Sequence, residues 1–194
     1  VRFSFDGSSN LVAQLQQGAP ADVFASADTT TMATATDDGL VDGSPTDFAT
    51  NVLQIVTPPD NPAGVESLAD LADPDVAVVL CAPQVPCGNA SVEVERLAGI
   101  DIAPVSEEQS VTDVLNKVAT GEADAGLVYV TDAAGAGDAV RGIEIPDADR
   151  VVNTYPIAAI DGSAHVDLAR SFVEFVTGEA GQSILGSAGF GAPR

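Results

Sequence analysis

Three short apolar runs constrain this chain more than anything else in it: "VLQIVTPP" at 52–59, "DVAVVLC" at 75–81 and "AGLVYV" at 125–130. Each is rich in branched residues, too short for a buried helix and bounded by Pro, Gly or Asp, which is how strands covered on both faces read. Around them lie stretches of helical period. "SNLVAQLQQG" places Leu11, Val12 and Leu15 on one face and stops at Gly18, and "TTTMATATDDG" ends at Gly39. "VESLADLAD", "ASVEVERLAG", "SVTDVLNKVATG", "HVDLARSFVEFVTG" and "EAGQSILGSAG" read as further helices. "VRFSF" and "DVFASAD" look strand-like, "DRVVNTYPIAAI" extended, and "DAAGAGDA" a loop. Strands alternating with helices over short links predict an α/β architecture of mainly parallel sheets flanked by helices.

At 194 residues and 45% hydrophobic, the chain can bury a core as one domain or as two small lobes. No apolar run approaches the length of a membrane-spanning helix, and no leader pattern opens the sequence, so an export signal, if there was one, is expected to have been removed. The formal net charge is −22, with Asp outnumbering Glu and Lys117 the only lysine. Without a basic patch, nucleic acid and anionic membranes are poor partners. Solubility or adaptation to salt accounts for such a charge without any ligand.

Enzyme templates are missing. There is no G-x-x-x-x-G-K-[ST] loop, no G-x-G-x-x-G after a strand and no G-x-S-x-G elbow. The single histidine, His165, sits near a helix start and reads as a surface or capping residue. Carboxylates are too numerous for one pair to stand out as acid and base. Cys81 and Cys87, in "LCAPQVPCG", are the only cysteines. A zinc site would need carboxylates to complete it; a disulfide across the short, proline-bearing interval is the favoured reading and implies an oxidising compartment, with two free thiols as the alternative.

Several helix starts carry a suggestive feature. Ser8 and Ser9 precede the first helix, Gly88 follows Cys87 where backbone can approach a ligand, and Ser110 with Asp113 has capping-box spacing. If Ser110 caps the amide of Asp113, the amide of Val111 points outward. Such amides carry partial positive charge and bind oxyanions without a formal cation. Each start reads equally as an ordinary cap. Tyr129 ends a strand, where ligand crevices of open α/β sheets lie, or packs in the core with its hydroxyl at an interface.

"FDGSSNLVAQLQQGAPADVFASAD" closely resembles the early signature of the molybdate-binding proteins of ABC importers. "VPCG" is similar to that family's V-P-A-G turn, "SVTDVLNKVATGEADAGLVYVTDA" to its next helix and Tyr-bearing strand, and "YPIAAI" to its return strand. The resemblance spans nearly the whole chain. It implies a two-lobed fold like that of type II periplasmic binding proteins, with lobe I formed by 1–56 plus 154–194 and lobe II by 57–153. The lobes of that family close over a tetrahedral oxyanion.

By the same resemblance, Ser8 offers hydroxyl and amide, with Ser9 its neighbouring candidate. Cys87, where the family commonly has Ala, and Val111 offer amides, and Tyr129 its hydroxyl. The family's first strand, its A-A-A-S-L turn and the following helix have no counterpart here, so one expected ligand serine is not among these residues. The implied function is extracytoplasmic capture of molybdate, with tungstate, for an ABC importer permease, by a monomer without catalysis, cofactor or bound metal cation. A receptor for another oxyanion such as sulfate, or a ligand-sensing regulatory domain of the same fold, is the alternative.

Overall fold

A computed structural model describes residues 1–193. Along the chain run α1 (Ser8–Gln16), β1 (Val23–Ala25), α2 (Thr29–Asp37), β2 (Val41–Asn51) and β3 (Leu53–Thr57). Next come β4 (Val78–Cys81), α3 (Pro86–Ala98), β5 (Ser106–Glu108), α4 (Val111–Ala119) and β6 (Ala125–Tyr129). The chain closes with α5 (Val130–Ala136), β7 (Arg141–Ile143), β8 (Asn153–Ile160), α6 (Val166–Thr177) and α7 (Glu179–Ser187). It divides into two compact units, Val1–Asn51 with the chain from Asn153 onward, and Val52–Val152. Because β3 pairs with β6 and β7, it falls in unit 2 rather than in the first lobe where its sequence position put it.

Unit 1 is built on a three-stranded sheet of order β1-β8-β2. β8 is antiparallel to both neighbours, with Val23 opposite Ala159 and Val41 opposite Ile160. On one side Val12 of α1 and Met32 and Ala35 of α2 bury against Phe24, Ala158 and Ile160. The amphipathic spacing in α1 thus serves this core, while Asp28 caps α2 by accepting from the Thr31 amide at 2.8 Å. Elsewhere in the unit Tyr155 meets Phe48 and Phe190 edge-on, at 6.2 and 5.8 Å between ring centres.

Unit 2 carries a five-stranded sheet of order β5-β4-β6-β3-β7. β5, β4 and β6 are parallel; β3 is antiparallel to β6 and β7. Leu53, Ile55, Val56, Val78, Val79, Leu127 and Val128 are almost wholly inaccessible, so the three apolar runs are strands covered on both faces. Val114 and Val118 of α4 press onto the sheet at Gly126, where a Cβ would lie 2.7 Å from Val114 Cγ1.

The α/β class therefore holds, but the strand directions do not follow the mainly parallel expectation. A helical crossover returns a strand parallel; β3 has no such helix before it, and β8 inserts between β1 and β2 from the far end of the chain. An apolar run says that a strand is buried, not which way its neighbour points.

Local readings also need correction. "VRFSF" forms no strand: Val1, Phe3 and Phe5 are exposed, and the two phenylalanine rings stack on each other at 5.7 Å. "VESLADLAD" yields only a 3₁₀ turn, Leu68–Ala72, started by a reciprocal Ser67–Asp70 cap. "DAAGAGDA" is helical, as α5 and a following 3₁₀ turn, because Asp132 secures its start. β2, β5 and β7 were hidden. In β2, Gly43 at φ 77° and Pro45 fall within the register shift between Asp42 and Thr46, where the ladder tolerates them.

Gly88 was expected to let backbone approach a ligand. It lies inside α3, and its hydrogen-only face meets protein: an added Cβ would fall 1.9 Å from the Ala82 carbonyl oxygen and 2.7 Å from that of Cys81. Both obstacles are backbone, so neither can rotate away. Gly88→Ala should cost about 3 kcal/mol or more, read as a lowered midpoint in urea unfolding, whereas Gly135→Ala, with open space around it, should be neutral or stabilising.

Asp132, in the first turn of α5, accepts from the Tyr129 amide at 3.1 Å. Burial pushes its carboxyl up to about 6, against the opposing pull of that amide. The folded state thus holds this proton more tightly than the unfolded chain, whose value is near 3.8. The resulting stabilisation is complete below that value and is lost as pH rises to about 6. Asp132→Asn, neutral throughout and still able to accept from Tyr129, should flatten this fall and be about 1–2 kcal/mol more stable than wild type at pH 7.5 in denaturant titrations across pH.

Candidate functional site

In unit 2 the parallel order β5-β4-β6 sets three strand ends side by side, about 4.8 Å apart from strand to strand. β4 ends at Cys81, paired with Glu108 at the end of β5, and β6 ends at Tyr129. From this edge α3 and α4 start. Three of the candidate donors therefore share one edge: Cys87 and Val111 at the helix starts, Tyr129 at the strand end.

The start of α3 is open. Val85 is its N-cap and offers no side-chain bond, and Pro86 at the first helical position has no N–H. The amides of Cys87 and Gly88 are thus its leading donors. Cys87 Sγ is bonded to Cys81 Sγ, with the two Cα atoms 5.6 Å apart, so the disulfide reading of the pair is the one adopted. Both cysteines are about 3% exposed. The Val85 amide donates to the Ala82 carbonyl at 3.0 Å, and the Ala82 amide to the Glu108 carbonyl at 2.8 Å. Strand end, turn and helix start are tied into one piece.

In α4 the Ser110 side chain accepts from the Asp113 amide at 3.2 Å, and its hydroxyl donates to Asp113 Oδ2 at 2.7 Å. The cap takes the third amide and leaves that of Val111, at the first position, outside it. α4 is anchored to β5 through Lys117, whose Nζ donates to Glu108 Oε1 and to Ser106 Oγ at 3.1 Å. The Lys117 hydrogen bond holds the Glu108 carboxyl below its usual range. The one lysine is thus engaged in structure. Tyr129, 3% exposed, closes the edge, its amide on Asp132.

In unit 1, Ser8 opens α1 and Ser9 follows at its second position, half-buried. Gly7 is the N-cap and supplies no side-chain bond. Ser8, only 7% exposed, accepts from the Ala27 amide through Oγ at 3.0 Å, which leaves its own proton to donate. The Ala27 carbonyl accepts from Asn153 Nδ2 at 3.1 Å, so both backbone polar groups of Ala27 are held. Sequence reading missed this clamp, because Ser8, Ala27 and Asn153 meet only in the folded unit. It also missed Asp6 and Asp132, whose one signal was a carboxylate next to a helix start. His165 is the N-cap of α6, although its side chain makes no cap bond. Among the described residues no group of three or more His, Cys, Asp or Glu side chains is placed to hold a metal ion.

A family model described as bacterial extracellular solute-binding protein matches residues 1–191. The molybdate-binding protein ModA of Mycobacterium tuberculosis is 52% identical over 193 residues, which cover 100% of this chain and 74% of that protein. Among solved structures, a periplasmic molybdate-binding protein of Azotobacter vinelandii superposes with a TM-score of 0.83 at 24% identity, covering 98% of this chain and 87% of that one. The sulfate-binding protein SubI of Mycobacterium tuberculosis superposes at 0.77 and 19% identity, covering 96% and 74%. At such identities the two structures show the fold alone, and they carry it for different oxyanions. The match along nearly the full chain decides the family: this protein belongs to the bacterial extracellular solute-binding proteins.

Proposed function

We propose that this protein captures molybdate, and tungstate with it, outside the cytoplasm and delivers it to the membrane permease of an ABC importer. The observation that carries this reading is the 52% identity, over the whole chain, to a protein named for binding molybdate. The donor chemistry agrees with it. The Ser8 hydroxyl and the Tyr129 hydroxyl, with the amides of Cys87 and Val111, are neutral groups suited to a small anion that only accepts hydrogen bonds. No formal cation is needed, since helix N-termini present partial positive charge. Binding on this reading is reversible and noncovalent, and it requires neither a cofactor nor a reaction.

Sulfate is the rival ligand, favoured by the fold shared with SubI. Titration calorimetry with molybdate, tungstate, sulfate and phosphate separates the two. Tight binding of molybdate and tungstate with sulfate at least a hundredfold weaker supports the proposal, and a preference for sulfate overturns it. Tyr129→Phe, which removes one hydrogen bond to a charged ligand, should weaken molybdate about ten- to a hundredfold in the same titration.

The disulfide should contribute to stability and to preorganisation of the Cys87 amide. Cys81→Ala with Cys87→Ala frees the short loop between them and should lower stability by roughly 2 kcal/mol. Molybdate affinity should fall only a few-fold, because the amide survives the substitution and only its ordering is lost, and the order of the four anions should stay the same. Calorimetry alongside thermal melts reads both effects. A change in that order would show that the sulfurs themselves, rather than the backbone they hold, discriminate between ligands.

A further inference from the structure

Asp6 stands immediately before the N-cap of α1, and its carboxylate is fixed there. Oδ1 accepts from the amide of Gly7 at 2.7 Å and from Asn10 Nδ2 at 3.0 Å, while Oδ2 accepts from Gln14 Nε2 at 3.2 Å. Asn10 and Gln14 are four residues apart, on one flank of the helix, so the charge lies along that flank. These neutral donors hold the carboxylate without cancelling it. Gly7, its nearest partner, is the residue next to Ser8, which opens the helix.

We propose that Asp6 is an electrostatic brake on oxyanion binding: a fixed negative charge beside the Ser8 donor that lowers affinity for a dianion. This rests on the oxyanion reading of Ser8 given above. An anion oxygen on the Ser8 amide or hydroxyl puts the centre of the ligand about 7 Å from the Asp6 carboxylate, from ordinary hydrogen-bond and backbone dimensions. Repulsion between one charge and two at that distance, in the dielectric of water, weakens binding roughly sevenfold without screening and about twofold at physiological ionic strength. A carboxylate at a helix N-terminus also favours the helix itself. Asp6 is therefore expected to act in opposite directions on stability and on affinity, which a residue serving structure alone would not do.

Asp6→Asn keeps the acceptor for Gly7 and removes the charge, and Asp37→Asn, exposed at the end of α2 where the neighbouring Asp38 accepts from Gln16 at the far end of α1, removes one charge from the same unit away from the Ser8 end of that helix. Molybdate affinity of wild type and both variants should be measured by calorimetry at 20 mM and 500 mM sodium chloride, with thermal melts in parallel. The expected result is a three- to eightfold tighter Asp6→Asn at low salt, a gain below twofold at high salt, an unchanged or slightly lower melting temperature, and an Asp37→Asn within 1.5-fold of wild type throughout (gains set by the Coulomb and screening estimates). Equal or weaker binding by Asp6→Asn, with wild type binding normally, overturns the brake alone, as does a gain that persists in 500 mM salt or is matched by Asp37→Asn. Failure of wild type to bind any of the four oxyanions sinks the oxyanion reading and the brake together.

Discussion

Parallel pairing of β5, β4 and β6 is the constraint on which unit 2 depends. Parallel strands of one sheet end on the same edge, and helices that return the chain must start there. The pairing of Cys81 with Glu108 therefore puts the starts of α3 and α4 beside each other and beside Tyr129. Were β4 antiparallel to β5, the amides of Cys87 and Val111 would lie at opposite edges. Packing enforces the arrangement closely. Gly88 sits against the Ala82 carbonyl with no room for a methyl group, the disulfide joins the end of β4 to the first turn of α3, and Lys117 ties α4 to β5.

Charge imposes the second condition. A chain of net charge −22 with one lysine has little positive charge to spare for an anion, and that lysine is held by Glu108 and Ser106. Two of its arginines are paired on the surface as well, Arg96 with Glu93 and Arg170 with Asp42. Donors compatible with such a composition are dipoles: hydroxyls and uncapped helix amides, whose strength comes from orientation rather than from net charge. Orientation has to be built, and most of the polar groups around Ser8 do this. Asn153, Ala27 and Asp28 contribute hydrogen bonds that aim the turn after β1, and none of these bonds depends on a ligand.

Much of this was legible in the residues alone. Branched apolar runs marked β3, β4 and β6 because burial on both faces demands continuous hydrophobicity, and the spacing of Leu11, Val12 and Leu15 marked the side of α1 that packs on the core. Ser110 and Asp113 announced their own cap, since that interaction spans three residues and needs nothing else. The Cys81–Cys87 bridge closes across so short an interval that sequence spacing sufficed to favour it.

What local pattern could not carry is whatever joins distant segments. Strand direction in the unit 1 sheet depends on β8 arriving between β1 and β2, and β2 itself is held by pairing despite Gly43 and Pro45. The clamp on Ala27 draws on Ser8 and Asn153, and the proton affinity of Asp132 depends on how much water the folded unit removes from it. The sequence by itself determined the α/β class of the fold and the Ser110–Asp113 cap, because these follow from side-chain type and short-range spacing. Tertiary structure alone decided strand order, the crowding at Gly88 and the environment of each carboxylate, because each of these depends on groups far apart in the chain and on the water that their packing excludes.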